Sequence, residues 1–588
     1  MPPSSGLRIL LLLVGVSFAL GNIVDQLSDS YEETLTIKRL KSHQIYSHFD
    51  FVVQTNGSTV RGSYELFPRI IDEIVEKYKI RDLQISLTQG FWRTSEWGLQ
   101  PKPETPNGAQ LIVLFDGDAS KEVIDKRWAS LVNSLNGIFC TSLMELVPSL
   151  TSSPHRFRND VVEEHGGNIK NLRYGALGGE TVCTENLTPW KRLLPCKQSG
   201  ISKLLNPIRL YSSAFHSLSL RVRRTGEAGK GRRLEMTAAH LTDLPPPPRV
   251  MSWDLRKLFD RVINGQCSVA KKSSVLVAKE DLPDAQYSPE ADESVEIADQ
   301  QYLHYDLSKK PLDAVFNVHM QTKKRLRIES VPPTFFGLHS FISNVGLQNG
   351  KIRHRLTNAK DAKLPIQFTH MIPWFLRVYM HTIAIECEPL GEGVQDLNAT
   401  ISNRHYSLAR DRQKPALIEL EINLPAKSVC LMNVNYDTAF MRAQEFKPDA
   451  NYGNYVPGAV VSFRSDRSNL VKDAALLKED SDDVVFVHGE VLLVQMPTPD
   501  FSMPFNVLCL VSTVISILYG PMYSLSTKVL KPVFTESEVP SRSPLAVKLI
   551  MFVVRLFKGV IGKFKKTKKQ EGEQPEAERE EAGDKKND

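Results

Sequence analysis

The chain has 588 residues, 41% of them hydrophobic and 24% charged, with a formal net charge of +6 and seven cysteines. A chain this long buries an extensive core without needing metal or disulfide staples. The charge excludes a nucleic-acid binder by its distribution: residues 545–569 carry eight Lys or Arg and no acid, residues 570–588 carry eight acids against three bases, and the long stretch between the two apolar ends is left near +1.

At the N-terminus Arg8 precedes an apolar core from Ile9 to Leu20, with small residues Ala19 and Gly21 at the spacing a signal peptidase reads. Residues 1–21 are expected to be a signal peptide, and the mature chain is expected to begin near Asn22. Ile70, Ile71, Ile74, Val75 and Tyr78 then recur as one helical face, and Leu83, Ile85 and Leu87 alternate as a half-buried strand. After the apolar run Leu111–Phe115, the spacing of Val123, Trp128, Leu131, Val132 and Leu135 predicts a second helix. Residues 22–220 thus read as an α/β region.

Residues 221–248 combine Arg- and Gly-rich sequence with Pro245–Pro248, and residues 279–300 are acidic with few large apolar side chains. Neither offsets its ordering entropy by burial in an obvious way, so 221–300 is expected to be loop-rich and variable. From 301 to 504, runs such as Leu417–Leu424, Val456–Phe463 and Val484–Val494 are separated by Pro, Gly and Asn, which predicts mostly sheet. The expected fold class is α+β: a predominantly β luminal region of sandwich-like sheets with a few helices, plus one C-terminal transmembrane helix.

That helix is expected at 505–525. No charged residue falls between Asp500 and Lys528, and about 20 residues at helical rise cross a hydrocarbon core of about 30 Å. Lys528 and Lys531 follow it directly, so the positive-inside bias places the C-terminus in the cytosol and the bulk of the chain in the lumen. In the cytosolic tail, 526–588, residues 545–569 read as an amphipathic basic helix lying on an anionic leaflet. The terminal Lys585-Lys586-Asn587-Asp588 matches a dilysine address for retrieval to the endoplasmic reticulum.

Chemistry is sparse. The chain has no Walker loop, HExxH, GxSxG or Gly-rich dinucleotide fingerprint, no CxxC pair and no Cys/His set at zinc spacing, so no cofactor, metal or catalytic residue is assigned. With Cys509 inside the span, Cys140, Cys183, Cys196, Cys267, Cys387 and Cys430 remain for an oxidising lumen, and spacing does not choose among their pairings. Asn56, Asn186 and Asn398 open glycosylation sequons, with Pro189 following the Thr of the second. The cluster Gln89–Gly98, with two Trp and two Gly, reads as a packed turn before it reads as a ligand site.

Three blocks are distinctive: Gln89–Thr94 (QGFWRT), Cys183–Cys196 (CTENLTPWKRLLPC) and Pro497–Leu510 (PTPDFSMPFNVLCL). In this order, with Pro373–Tyr379 between the last two, they closely resemble the PIG-T family of glycosylphosphatidylinositol (GPI) transamidase subunits over roughly residues 30–530. The resemblance implies a non-catalytic, disulfide-linked scaffold in the endoplasmic reticulum membrane. Its partners would be a PIG-K-like catalytic subunit and the other transamidase subunits, together with the GPI lipid and the C-terminal signal of a precursor protein. It also implies that Cys183, the first cysteine of the second block, carries the intersubunit disulfide and that one of the other five luminal cysteines stays unpaired. An intrachain Cys183–Cys196 bridge is the competing arrangement. Asp500 and Asn506, at the membrane boundary, are expected to meet the GPI head or a neighbouring subunit. Two rival readings are a type I receptor or adhesion protein, and a stand-alone luminal thiol transferase.

Overall fold

In the computed structural model the described residues are 29–529 and Arg555, without 41–43, 56–64, 118, 226–230, 245–249, 280–283, 298, 312–313, 326–333, 344–345, 347, 392–396, 448, 466–483 and 499–501. The expected signal peptide, the basic helix 545–569 and Lys585 and Lys586 therefore lie outside the described residues, Arg555 excepted. The chain divides into two compact units, one ending at Pro499 and one beginning at Asp500.

The first unit, called the body here, is built mainly of sheet and has two main cores. An 11-stranded sheet runs in the order 293–297, 300–306, 272–278, 30–39, 44–55, 231–243, 216–225, 80–89, 108–115, 172–177 and 151–152. Neighbours are antiparallel except 30–39 with 272–278, which are parallel. Helices cover one face. The helix Arg69–Tyr78 turns Ile71, Ile74, Val75 and Tyr78 inward, and Lys121–Phe139 turns in Ile124, Trp128, Leu131, Val132, Leu135 and Phe139. The two helices meet where the Tyr78 hydroxyl lies 2.7 Å from the Ser134 hydroxyl. Ile70 and Val123, expected on these faces, are exposed, because a helix on a sheet buries a stripe narrower than its whole apolar set.

The second core lies between two five-stranded sheets. One orders 336–343, 349–358, 428–438 and 376–378, with 384–389 also on 428–438; the other orders 400–407, 416–424, 364–372, 460–464 and 484–488. Alternating residues such as Ile366, Phe368, Ile418, Leu420, Ile422, Met432 and Val434 fill the interior. This is a sandwich, as the period-two runs predict.

A smaller apolar cluster joins the halves. Ile112, Leu114 and Tyr174 of the large sheet meet Met371, Leu417, Val460 and Phe486 of the sandwich. Beside it the buried Glu419 carboxylate accepts backbone hydrogen bonds from His155, Arg156 and Phe157. Gly178 and Gly179 lie against Val491 and Tyr455, leaving no room for a Cβ at either.

The stretch 221–300 corrects the expectation of a loop-rich region. Strands 216–225 and 231–243 pair from His216↔His240 to Thr225↔Gly231 in the middle of the large sheet. The arginines that made this segment look unfoldable are matched by acids distant in sequence. Arg221 meets Asp82 at 2.6 Å and Glu164 at 2.8 Å, Arg223 also meets Glu164, and Arg232 meets Asp72 at 3.2 Å. Residues 285–288 and 293–297 form edge strands whose outer side faces water, so an acidic, weakly apolar sequence still pairs there.

In the second unit the helix Ser502–Thr527 contains the 23-residue apolar stretch Phe505–Thr527, long and apolar enough to cross a membrane. It begins slightly before the expected 505 and ends slightly after 525.

Candidate functional site

The cysteines sort cleanly in this fold. Cys196 bonds Cys267 and Cys387 bonds Cys430, the latter across directly opposed positions of adjacent strands. Cys140, Cys183 and Cys509 are free and exposed. Cys196 is engaged with Cys267, so the competing Cys183–Cys196 arrangement is absent. Cys140 is the odd one left among the remaining five.

Cys183 is held by its surroundings rather than by a loop of its own. It caps the N-terminus of the helix Thr184–Arg192. Leu187 and Trp190 on that helix are buried; the Trp190 ring lies edge-on to Phe51, and its Nε1 donates to the Ser219 carbonyl at 3.2 Å. Burying side chains of this size stabilises the docking by roughly 2–3 kcal/mol each. The Cys183 N–H donates to Asn186 Oδ1 at 2.8 Å, while Asn186 Nδ2 donates to the Phe139 and Cys140 carbonyls at 2.9 and 3.0 Å. One buried amide thus ties the turn carrying Cys183 to the end of the long helix carrying Cys140. Cys140 itself adopts a left-handed φ of 51° as that helix ends. Tyr211 stands near the thiol: burial first, and then Cys183, raises its phenol above the ordinary range.

At the sequon residue Asn186 the side chain is 1% exposed, and its Nδ2, the atom that would carry a glycan, donates two hydrogen bonds. Asn398 is exposed, and Asn56 lies outside the described residues. Asn506 is exposed near the start of the apolar helix, whereas Asp500 lies outside the described residues.

The other polar clusters are structural. Asp82, Glu164 and His165 converge closely enough to suggest a cation site. Their charge is already met: His165 Nε2 lies 2.9 Å from Asp82, Arg221 bridges Asp82 and Glu164, and Arg223 also reaches Glu164. Burial alone would raise the Asp82 carboxyl, but the Arg221 charge with hydrogen bonds from His165 and Arg221 holds it down at about 2. The Gln89–Gly98 cluster is the packed turn: Trp92 Nε1 donates to the Gly98 carbonyl at 2.7 Å, and Trp92 stacks edge-on with Trp97, Phe215 and Tyr46. A cleft of about 400 Å³ opens beside the seam, lined by Arg156, Arg158, Ile366, Glu421, Phe463 and Phe486 among others. Arg156 pairs with Glu421 inside it.

The sequence family described as the Gpi16 subunit, a GPI transamidase component, matches residues 13–244 and 246–551. The GPI-anchor transamidase component PIGT of Mus musculus is 32% identical over 566 residues, covering 90% of this chain and 94% of that protein. The Homo sapiens protein of the same name is 32% identical over 544 residues, covering 85% and 90%. The GPI transamidase component GPI16 of Saccharomyces cerevisiae is 26% identical over 601 residues, covering 93% and 95%. By the extent of these matches, the chain belongs to the Gpi16 family of GPI transamidase components.

Proposed function

We propose that this subunit is a non-catalytic scaffold whose Cys183 forms a disulfide with a PIG-K-like catalytic subunit, stabilising that subunit and helping present precursor protein and GPI lipid to it. The observation that carries the reading is the contrast among the cysteines: four are paired within the body, while Cys183 is exposed and unpaired on a rigidly anchored helix end. A covalent link there fixes the partner's position, and positioning is what a scaffold contributes to a reaction whose two substrates must meet at a bilayer surface.

The remaining features fit the same reading. Residues 1–21 serve as signal peptide, the body faces the lumen of the endoplasmic reticulum, and the apolar helix passes once with its C-terminus in the cytosol, near Lys528 and Lys531. Asn398 and Asn56 are the glycan acceptors. Lys585 and Lys586 return the protein to the compartment, the basic segment 545–569 rests on the cytosolic leaflet, and Asp500 and Asn506 meet the GPI head or another subunit. Non-reducing electrophoresis of the membrane complex tests the central link. Wild type should give a larger band that collapses on reduction, and Cys183→Ser should abolish it; persistence of that band in the variant overturns the assignment.

A further inference from the structure

Cys140 and Cys183 are the two free thiols of the body, both exposed, and the function proposed above uses only Cys183. The two are held as neighbours. One buried amide ties both positions: Asn186 Oδ1 accepts from the Cys183 N–H at 2.8 Å, and Asn186 Nδ2 donates to the Cys140 carbonyl at 3.0 Å. Adding the width of the amide group, the Cys140 carbonyl oxygen and the Cys183 nitrogen lie at most about 8 Å apart. The Ser142 N–H donates to Glu180 Oε1 at 2.8 Å, a second tie between the same two stretches of chain.

Both cysteines stand at helix ends, where the backbone is free to adjust. Cys140 is the first residue past the helix Lys121–Phe139, and Cys183 is the last before the helix Thr184–Arg192. A disulfide requires Cα atoms within about 7 Å, so a shift of a few ångströms at these ends closes a bridge between them.

We infer that Cys140 is the exchange partner of Cys183: before assembly the two are joined in a disulfide, and the incoming subunit takes Cys183 from it. The inference rests on the proposed intersubunit bond and on the body facing an oxidising lumen. Closing the pair breaks two S–H bonds and makes one S–S bond; the two electrons and two protons pass to the disulfide of a luminal thiol oxidoreductase, which becomes a dithiol. On assembly a thiolate of the partner attacks Cys183 Sγ, the bond to Cys140 breaks, and Cys140 leaves with the electron pair and takes a proton from water. That second step needs no oxidant. Until then a thiol held beside Cys183 outcompetes small thiols in solution, because its effective concentration is far above theirs, so Cys183 is kept from being capped.

The test begins with the full chain produced in membranes without its partner subunits, its free thiols blocked by N-ethylmaleimide before digestion without reduction. Mass spectrometry should recover the Cys140 and Cys183 peptides bonded to each other; recovery of both as maleimide adducts overturns the inference. Pulse-labelling of the chain made together with its partners then follows the exchange. Cys140→Ser and Cys140→Ala should each slow the appearance of the larger, reducible band several-fold, since the bond must then wait for an outside oxidant. Appearance at the wild-type rate overturns the inference while the Cys183 link stands. If wild type never gives that band, the proposed link fails and the inference with it.

Discussion

The two halves of the body use the same material, antiparallel sheet, for different ends. The large-sheet half covers one face with helices, and at the edge of that layer it holds the exposed thiols Cys140 and Cys183. The sandwich half buries its alternating faces, and the apolar helix follows it in the chain. One half carries the free thiols and the other precedes the long apolar helix in the chain. The seam makes them a single lever: Gly179, four residues before Cys183, touches Tyr455, which pairs with the strand leading out of the body.

The difference is sharpest in the disulfides. Cys196–Cys267 closes a separation of 71 residues and Cys387–Cys430 one of 43, the latter between strands already hydrogen-bonded. Loop-closure entropy assigns about 4 kcal/mol to each in the unfolded chain. The Cys196→Ala/Cys267→Ala chain should lower thermal stability slightly more than Cys387→Ala/Cys430→Ala, because the longer loop restrains the unfolded chain more. Equal losses would remove this distinction between the halves.

The seam gives the next effect. Glu419→Ala leaves three backbone N–H groups of residues 155–157 without their acceptor, that of Phe157 buried and the other two part-buried, at a cost of about 2 kcal/mol. Limited proteolysis should then cut near residues 153–158 well before the sandwich strands are attacked. Unchanged cleavage would mean that the apolar contacts alone hold the halves together.

Acid should weaken both halves together. Burial lowers His216 in the large sheet to about 4, and burial, opposed by the Pro457 carbonyl, lowers His370 in the sandwich to about 4. Unfolded histidines titrate near 6.5. Between about pH 6.5 and 4 the unfolded chain binds more protons, so stability is full above that window and falls as pH drops through it. Thermal unfolding of the purified subunit at pH 7 and pH 5 checks the sign; a higher midpoint at pH 5 would contradict it.

How much was readable in the sequence follows from whether the signal was local. Leu83, Ile85 and Leu87, the helix around Trp128, the sandwich runs and the apolar helix all declare themselves by periodicity, and each is found. The central hairpin of Arg221 to Asp243 was hidden because its charges are balanced by Asp72, Asp82 and Glu164, partners invisible to any window along the chain. Val456–Phe463 and Val484–Val494 each split into two short strands, the first around Pro457-Gly458 and the second around Gly489-Glu490. At the site, Cys183 was legible only through the resemblance of its block. Its anchoring by Asn186 was masked by the sequon, which gave that residue a different expected role; the pairing of the other cysteines is a matter of spatial proximity.

If the large-sheet half offers its thiol to another chain, Cys183 is bonded outside its own chain in the assembled complex. Digestion of the assembled complex without reduction, followed by mass spectrometry of the peptide containing Cys183, tests it most directly. This peptide should be found disulfide-bonded to a cysteine of a different subunit, with Cys140 recovered as a free thiol. Recovery of Cys183 alkylated, or bonded to Cys140, would contradict it.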